Sequence, residues 1–269
     1  DSDDADNFYY HVWGGEDIHI GIYDKSDEDI ARASQRTVDA MASQYQTDLD
    51  EHTHIIDIGA GYGGSARWLA KKYGCLVTCL NLSEAQNARN RAMSAEQKLD
   101  DRIVVVDGSF EEIPATNEFF DLAWSQDAIL HSGQRKRVLE EVDRVLKPGG
   151  EFIFTDPMQA DDCPDGVLQP VLDRIHLDSL GSFAFYRQQA SRLGWEELGV
   201  FDLTPQLITH YTRVKDELTR QRNRLAGKVS DQYMFNMLKG LEHWIEAGEK
   251  GYLSWGILHF RKSALGAAA

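Results

Sequence analysis

The sequence predicts an α/β fold built on a mostly parallel sheet, and three observations carry that prediction. Apolar runs of strand length alternate with helical periodicity between residues 54 and 155, the pattern of consecutive βαβ units. The first run, Ile55-Ile56-Asp57-Ile58, passes straight into the glycine-dense turn Gly59-Ala60-Gly61-Tyr62-Gly63-Gly64 and then into a helix. The chain has 269 residues, 42% of them hydrophobic, which suffices for one large domain with an insertion or for two small ones. In such sheets ligands bind outside the C-terminal ends of the strands.

In chain order, Phe8-Tyr9-Tyr10-His11-Val12-Trp13-Gly14-Gly15 is dense in aromatics, yet too short and glycine-rich to predict a core helix. Two readings stand for it: a segment packed on the domain for burial, or a lid whose aromatic faces attract a cation. Val38, Met41, Ala42 and Tyr45 then share one helical face. After the glycine turn, Ala66, Leu69, Ala70 and Tyr73 predict a helix over 65–73 that stops at Gly74. Residues 76–80 read as a second strand, and Ser83 with Gln86 spells a capping box for the next helix. Residues 103–106 and 119–124 are the third and fourth strands. A helix bearing Val138, Leu139, Val142, Val145 and Leu146 ends at the turn Lys147-Pro148-Gly149-Gly150. Residues 151–155 are the fifth strand.

From Asp156 the period changes. Prolines and glycines mark an insertion over about 157–190, a short helix ends near Gly194, and a weak strand covers 195–203. Thr204-Pro205 opens a long helix with an N-cap residue and proline at its first position. A further helix follows Ser230, and its stripe of Met234, Met237, Leu238, Leu241, Trp244 and Ile245 reads as core rather than as a ligand surface. Residues 252–260 close the fold as a strand, and 263–269 read as a loose tail. One domain over 1–262 is expected, with 6–30 as an N-terminal lid.

Composition narrows the partners. The chain carries 44 acidic against 28 basic residues, a net charge of −16, so nucleic acid is not an expected partner. Such acidity suits a surface solvated at high salt, or simply an acidic cytosolic protein. No run of eighteen apolar residues occurs and the chain opens on Asp1-Ser2-Asp3-Asp4, so neither a membrane span nor a secretory signal is expected. The three cysteines, Cys75, Cys79 and Cys163, form no C-x-x-C pair. That argues against a disulfide framework or a metal site and for the cytoplasm. Monomer and dimer both stay open.

The glycine turn names a ligand class. Gly59, Gly61 and Gly64 match the G-x-G-x-x-G of dinucleotide sites, but Asp57 stands two residues ahead. A carboxylate there would repel a pyrophosphate, whereas it would accept hydrogen bonds from an ammonium group. A ligand with an amino-acid end and a nucleoside end fits better. In this D-x-G-x-G the sequence resembles class I S-adenosylmethionine-dependent methyltransferases, which implies a Rossmann-like sheet of seven strands, the last antiparallel. It is similar, more specifically, to sarcosine/dimethylglycine N-methyltransferases. That resemblance rests on Trp13-Gly14-Gly15-Glu16-Asp17-Ile18-His19-Ile20-Gly21-Ile22-Tyr23, Cys79-Leu80-Asn81-Leu82-Ser83, Ser125-Gln126-Asp127-Ala128-Ile129-Leu130-His131 and Trp255-Gly256-Ile257-Leu258-His259-Phe260. The activity it implies is methylation of an amino acid's nitrogen toward the osmolyte glycine betaine, with S-adenosylmethionine as cofactor.

The resemblance also implies roles. Asp57, Gly59, Ala60 and Gly61 would hold the cofactor's methionine end, with Gln126 beside them; Asn81 and Leu82 would hold ribose and adenine. Asp107, Gly108, Ser109 and Phe110 would surround the base, although a plain turn is the alternative reading of that segment. Tyr23 is grouped with the cofactor contacts, and Tyr9, Tyr10 and Trp13 would close the site from the N-terminal side. His131 is read either as the acceptor of the substrate's amine proton or as a residue packing at a helix start. A substrate carboxylate wants an arginine fork, for which Arg174, Arg187 and Arg213 are the candidates, and Tyr186 and Tyr211 would cage the ammonium. Phosphoethanolamine N-methylation is the nearest rival. An NAD-type oxidoreductase is the rival from another class, opposed by Asp57 and by the lack of a Tyr-x-x-x-Lys.

Overall fold

The structure, a computed structural model, describes residues 3–13 and 15–264; Gly14 of the N-terminal motif and 265–269 of the expected tail lie outside them. A seven-stranded sheet runs through the molecule. Its strands are β1 (His54–Ile58), β2 (Leu76–Asn81), β3 (Ile103–Asp107), β4 (Phe120–Gln126), β5 (Leu146–Thr155), β7 (Glu196–Asp202) and β9 (Gly256–Arg261), in the order β3-β2-β1-β4-β5-β9-β7. The first five are parallel and β9 is antiparallel to both its neighbours, the sheet that the resemblance implied. Two short strands, β6 (Met158–Gln159) and β8 (Leu253–Ser254), pair separately as a ribbon.

Helices cover both faces because the strands are apolar on both. Ile55 packs toward α2 (Ile30–Ala42) and α3 (Gly64–Tyr73), together with Val38, Met41, Leu69 and Trp124. Its neighbour Ile56 points the other way, into the layer under α5 (Arg135–Val145) and α7 (Phe183–Arg192), with Val138, Val142, Phe152 and Trp195. Strand geometry requires this alternation. α3 ends where the sequence places its stop: Gly74 has φ 78° and its N–H donates to Ala70 O. α4 (Glu84–Glu96) is capped by Ser83, which accepts from the Gln86 N–H. The Gln86 side chain does not complete the box, because it accepts from Asn81 Nδ2 instead.

A third cluster lies over the C-terminal ends of the strands. It joins α1 (Asp3–Val12), α6 (Gln169–Ile175), α8 (Thr204–Leu225) and α9 (Asp231–Glu249) through Phe8, Val12, Val171, Leu207, Leu218, Met234 and Trp244. Several sequence expectations change here. The aromatic N-terminal stretch forms a helix after all, because Phe8 and Val12 stand one turn apart and are both buried. The break falls beyond it, not inside it. Thr204 is the first residue of α8 rather than its cap, and its hydroxyl donates to Asp202 Oδ1. β5 starts at Leu146, so Lys147-Pro148-Gly149-Gly150 is an irregularity within the strand: Phe120 pairs with Leu146 and Leu122 with Glu151.

Candidate active site

Beyond the C-terminal ends of β1, β2 and β4, and beneath α1, α6, α8 and α9, lies a cavity of about 780 Å3. Its floor is the glycine turn. Gly59 has φ 79°, and a Cβ there would stand 2.3 Å from Ala128 Cβ, so a side chain is excluded both by backbone strain and by space. At Gly61 a Cβ would press on Ile18 Cδ1 at 3.2 Å. The backbone is thereby left open to close approach by a ligand.

Polar groups converge on this floor. Asp57 is 4% exposed, and burial, reinforced by the neighbouring Asp17 and opposed by His19, pushes its carboxyl up to about 7. Gln126 Oε1 accepts from Ser65 Oγ at 2.5 Å and from Trp124 Nε1 at 2.9 Å. An indole N–H only donates, so this end of the amide is the oxygen. Gln126 Nε2 is then left buried without a partner among the described residues, on a side chain that lines the cavity. His19 lines it too, 3.4 Å from Asp17 Oδ1. Burial alone would lower the His19 pKa, but the charge and hydrogen bond of Asp17, together with the Asp127 charge and the Ile20 carbonyl, outweigh it and the net shift is upward.

Residues 15–29, between α1 and α2, form a strap over the floor that is fixed largely by side chains instead of a strand partner. The Ile20 N–H donates to Asp127 Oδ2 at 2.6 Å, the Gly21 N–H to His210 Nδ1 at 3.1 Å, and the Tyr23 N–H to Gln206 Oε1 at 2.8 Å. Asp127 also accepts from Thr155 Oγ1 and Trp255 Nε1, each at 2.8 Å. It thus ties strap, β5 and the β8–β9 corner together from a left-handed φ of 52°. Because His210 Nδ1 accepts the Gly21 N–H, its proton sits on Nε2, and burial drives its pKa down to about 3.

Of the residues singled out in the sequence, Asp57, Gly59, Ala60, Gly61, Asn81, Leu82, Ser109, Phe110 and Gln126 line the cavity, as do His131, Tyr9, Trp13, Tyr211 and Arg174. The others stand elsewhere. Asp107 accepts from Asn87 Nδ2 and Arg91 Nη2, and neither it nor Gly108 is in the lining. Tyr23 turns its hydroxyl to His210 at 2.8 Å. Tyr10 is half exposed over Arg89 on the outer surface. Tyr186 is buried in the sheet layer and donates to Asp156 Oδ2. Arg187 is paired with Glu197 on the surface, and Arg213 Nε donates to Glu28 O.

Arg174 differs from both. It lines the cavity and, among the described residues, makes no hydrogen bond or ion pair. The sequence reading missed Asp127, His19 and the α9 face. Met237, Leu241 and Trp244 are buried as expected, but they also line the cavity, and no apolar pattern separates core from ligand wall. Tyr9, Trp13, Tyr211 and Trp244 form a chain of rings with centroids 5.6, 6.1 and 5.3 Å apart. His131 is accessible through the cavity, while enclosure in the cleft holds its pKa below the ordinary imidazole value.

This architecture has known relatives. A family model described as a methyltransferase domain matches residues 56–154. The chain is 57% identical to the sarcosine/dimethylglycine N-methyltransferase of Halorhodospira halochloris, covering 97% of this chain and 93% of that one. It is 46% identical to the dimethylglycine N-methyltransferase of Parasynechococcus marenigrum, covering 97% and 93%. A crystal structure from Galdieria sulphuraria, assigned as a sarcosine dimethylglycine methyltransferase, superposes with a TM-score of 0.93 at 44% identity and covers 98% of each chain. Identity at this level over nearly the whole length, on the same sheet, settles the family: the chain belongs to the sarcosine/dimethylglycine N-methyltransferases, within the class I S-adenosylmethionine-dependent methyltransferases.

Proposed function

We infer that the protein transfers methyl groups from S-adenosylmethionine to the nitrogen of sarcosine and dimethylglycine, the steps that end in glycine betaine, in the cytoplasm. The observation that carries this reading is the division of one cavity into two chemically distinct ends. One end offers a buried carboxylate, an unpartnered amide N–H2 and tight glycine backbone; the other offers aromatic rings and an unpaired guanidinium.

The first end fits the cofactor. Asp57 would accept from its ammonium and Gln126 Nε2 would donate to its carboxylate. Asn81 would meet the ribose hydroxyls, and Leu82, 67% exposed beside the cavity, would be covered by the adenine together with Ser109 and Phe110. When bound, S-adenosylmethionine supplies an already activated sulfonium methyl, so transfer to a neutral amine depends on alignment more than on acid–base power.

The second end fits a small amino acid. Arg174 would hold its carboxylate through the planar fork of its guanidinium. Trp13, Tyr9, Tyr211 and Trp244 would face the nitrogen as positive charge develops on it. His131, kept neutral by its enclosure, would take the amine proton directly or through water. Phosphoethanolamine fits less well, because Arg174, the one arginine among the described residues of the cavity lining, does not balance a phosphate dianion.

The test is methyl transfer to glycine, sarcosine, dimethylglycine and phosphoethanolamine, with products read by mass. Turnover of sarcosine and dimethylglycine is expected. Turnover of phosphoethanolamine alone would discard the substrate assignment while leaving the fold and the cofactor end in place.

A further inference from the structure

We propose that Gly240 is a specificity-determining residue, the slot in α9 that lets the Arg174 guanidinium reach the substrate end of the cavity. Gly240 lies in the interior of a 19-residue helix, where glycine is the least favourable residue after proline. Its backbone is ordinary helix, with no left-handed φ to require it. A helix does not need this glycine; its neighbour does. A Cβ at position 240 would stand 3.0 Å from Arg174 Nε, 3.4 Å from Cδ and 3.5 Å from Cγ. Apart from its chain neighbours and the backbone of α9 itself, these three atoms of one side chain are the nearest to that position. Arg174 comes from α6, a different element, and both residues line the cavity.

The stem of Arg174 therefore crosses α9 where Gly240 leaves the helix without a side chain, and the guanidinium emerges beyond the crossing. The surroundings make the crossing consequential. Arg174 has no carboxylate to anchor it among the described residues, so the direction of its fork is set by packing. In a bidentate contact with a carboxylate, a shift of a few tenths of an ångström at Nε swings both terminal nitrogens. Any side chain at 240 moves Nε first. The slot thus fixes the distance between the carboxylate fork and the aromatic rings that receive the nitrogen, which selects for amino acids with carboxylate and amine on one carbon.

This inference rests on Arg174 as the carboxylate holder, and the experiment separates the two. Gly240→Ala, Arg174→Ala and the double variant are compared with the native protein. KM and kcat are measured for sarcosine and dimethylglycine, the S-adenosylmethionine Kd by calorimetry, and Tm by unfolding. Gly240→Ala is expected to raise KM for both substrates about 3- to 10-fold, with kcat within about twofold, an unchanged cofactor Kd, and a Tm equal to or above the native one. In the Arg174→Ala background the same change should move KM by less than about twofold, since the two residues act as one unit. A native KM in Gly240→Ala, or the same rise in both backgrounds, overturns the slot and leaves Arg174 standing. A native KM in Arg174→Ala overturns the carboxylate reading and the slot with it. An unfolded Gly240→Ala also overturns the slot, because a Cβ that meets only a movable side chain costs no fold.

Discussion

At the residue scale, Asp57 is where electrostatics and the proposed cofactor site meet. Burial pushes its folded carboxyl from an ordinary 3.8 up to about 7, so below that pH the ligand-free protein favours the neutral acid. Its contribution to stability is complete at low pH and is lost as pH rises through about 7. A cationic ligand prefers the ionised form, so S-adenosylmethionine should bind with release of a proton below that pH. Calorimetry in buffers of different ionisation enthalpy should show affinity falling about tenfold per pH unit below 7, and Asp57→Asn should bind more weakly with a flat profile. An unchanged slope in that variant would remove Asp57 from the ammonium site. The motif around Asp57 was legible because its glycines, turn and carboxylate are neighbours in sequence. The three arginines were not, since what distinguishes Arg174 is the absence of a partner such as the Glu197 carboxylate of Arg187 or the Glu28 carbonyl of Arg213, and pairing across the fold leaves no local pattern. Asp127 went unread for the same reason: its partners Ile20, Thr155 and Trp255 come from three distant segments.

At the element scale, the strap is the part whose rigidity is least expected of an N-terminal lid. Its backbone N–H groups end on Asp127, His210, Ala33 and Gln206, and its carbonyls accept from Ser34, Thr37 and Arg36. Gly21 sits so tightly on α2 that a Cβ would come within 2.6 Å of Ala33 Cβ and 2.8 Å of the Ser34 backbone nitrogen. Gly21→Ala should therefore cost about 1–3 kcal/mol or more through overpacking, seen as a lower Tm. Proteolysis should speed up within 15–30, and cofactor affinity should fall as the strap lifts. Unchanged proteolysis would mean that the strap already moves freely. Strands and helices that alternate along the sheet were readable from periodicity, because each buries one continuous face. α1 was not, because its periodicity lasts barely two turns and its identity as a helix depends on packing against the α8–α9 pair, to which Asn7 and Gln221 add hydrogen bonds across more than 200 residues.

At the scale of the whole molecule, a net charge of −16 is spread over a surface in which most arginines already have acidic partners. The unpaired excess repels itself, and raising ionic strength from 0.1 to 1 M shortens the screening length from about 10 to about 3 Å. Tm should rise with NaCl by about 2 °C or more over that range, and sucrose of equal osmolality should not reproduce the first part of the rise. A Tm indifferent to salt would mean that the excess carboxylates are too far apart, or too well hydrated, to repel one another measurably.

The strand order β3-β2-β1-β4-β5-β9-β7 constrains how the chain folds as it is made. β9 is the last of the described strands to leave a ribosome, yet its place is between two strands made long before it. Until it arrives, β5 and β7 have no partner in common, and α8 and α9 lack Leu253 and Trp255, which share their apolar cluster just ahead of β9. Loop-closure entropy makes such a distant pairing a late event. During synthesis the unfinished chain therefore exposes two adhesive edges, and the sheet beneath the cavity is complete only once β9 has been made.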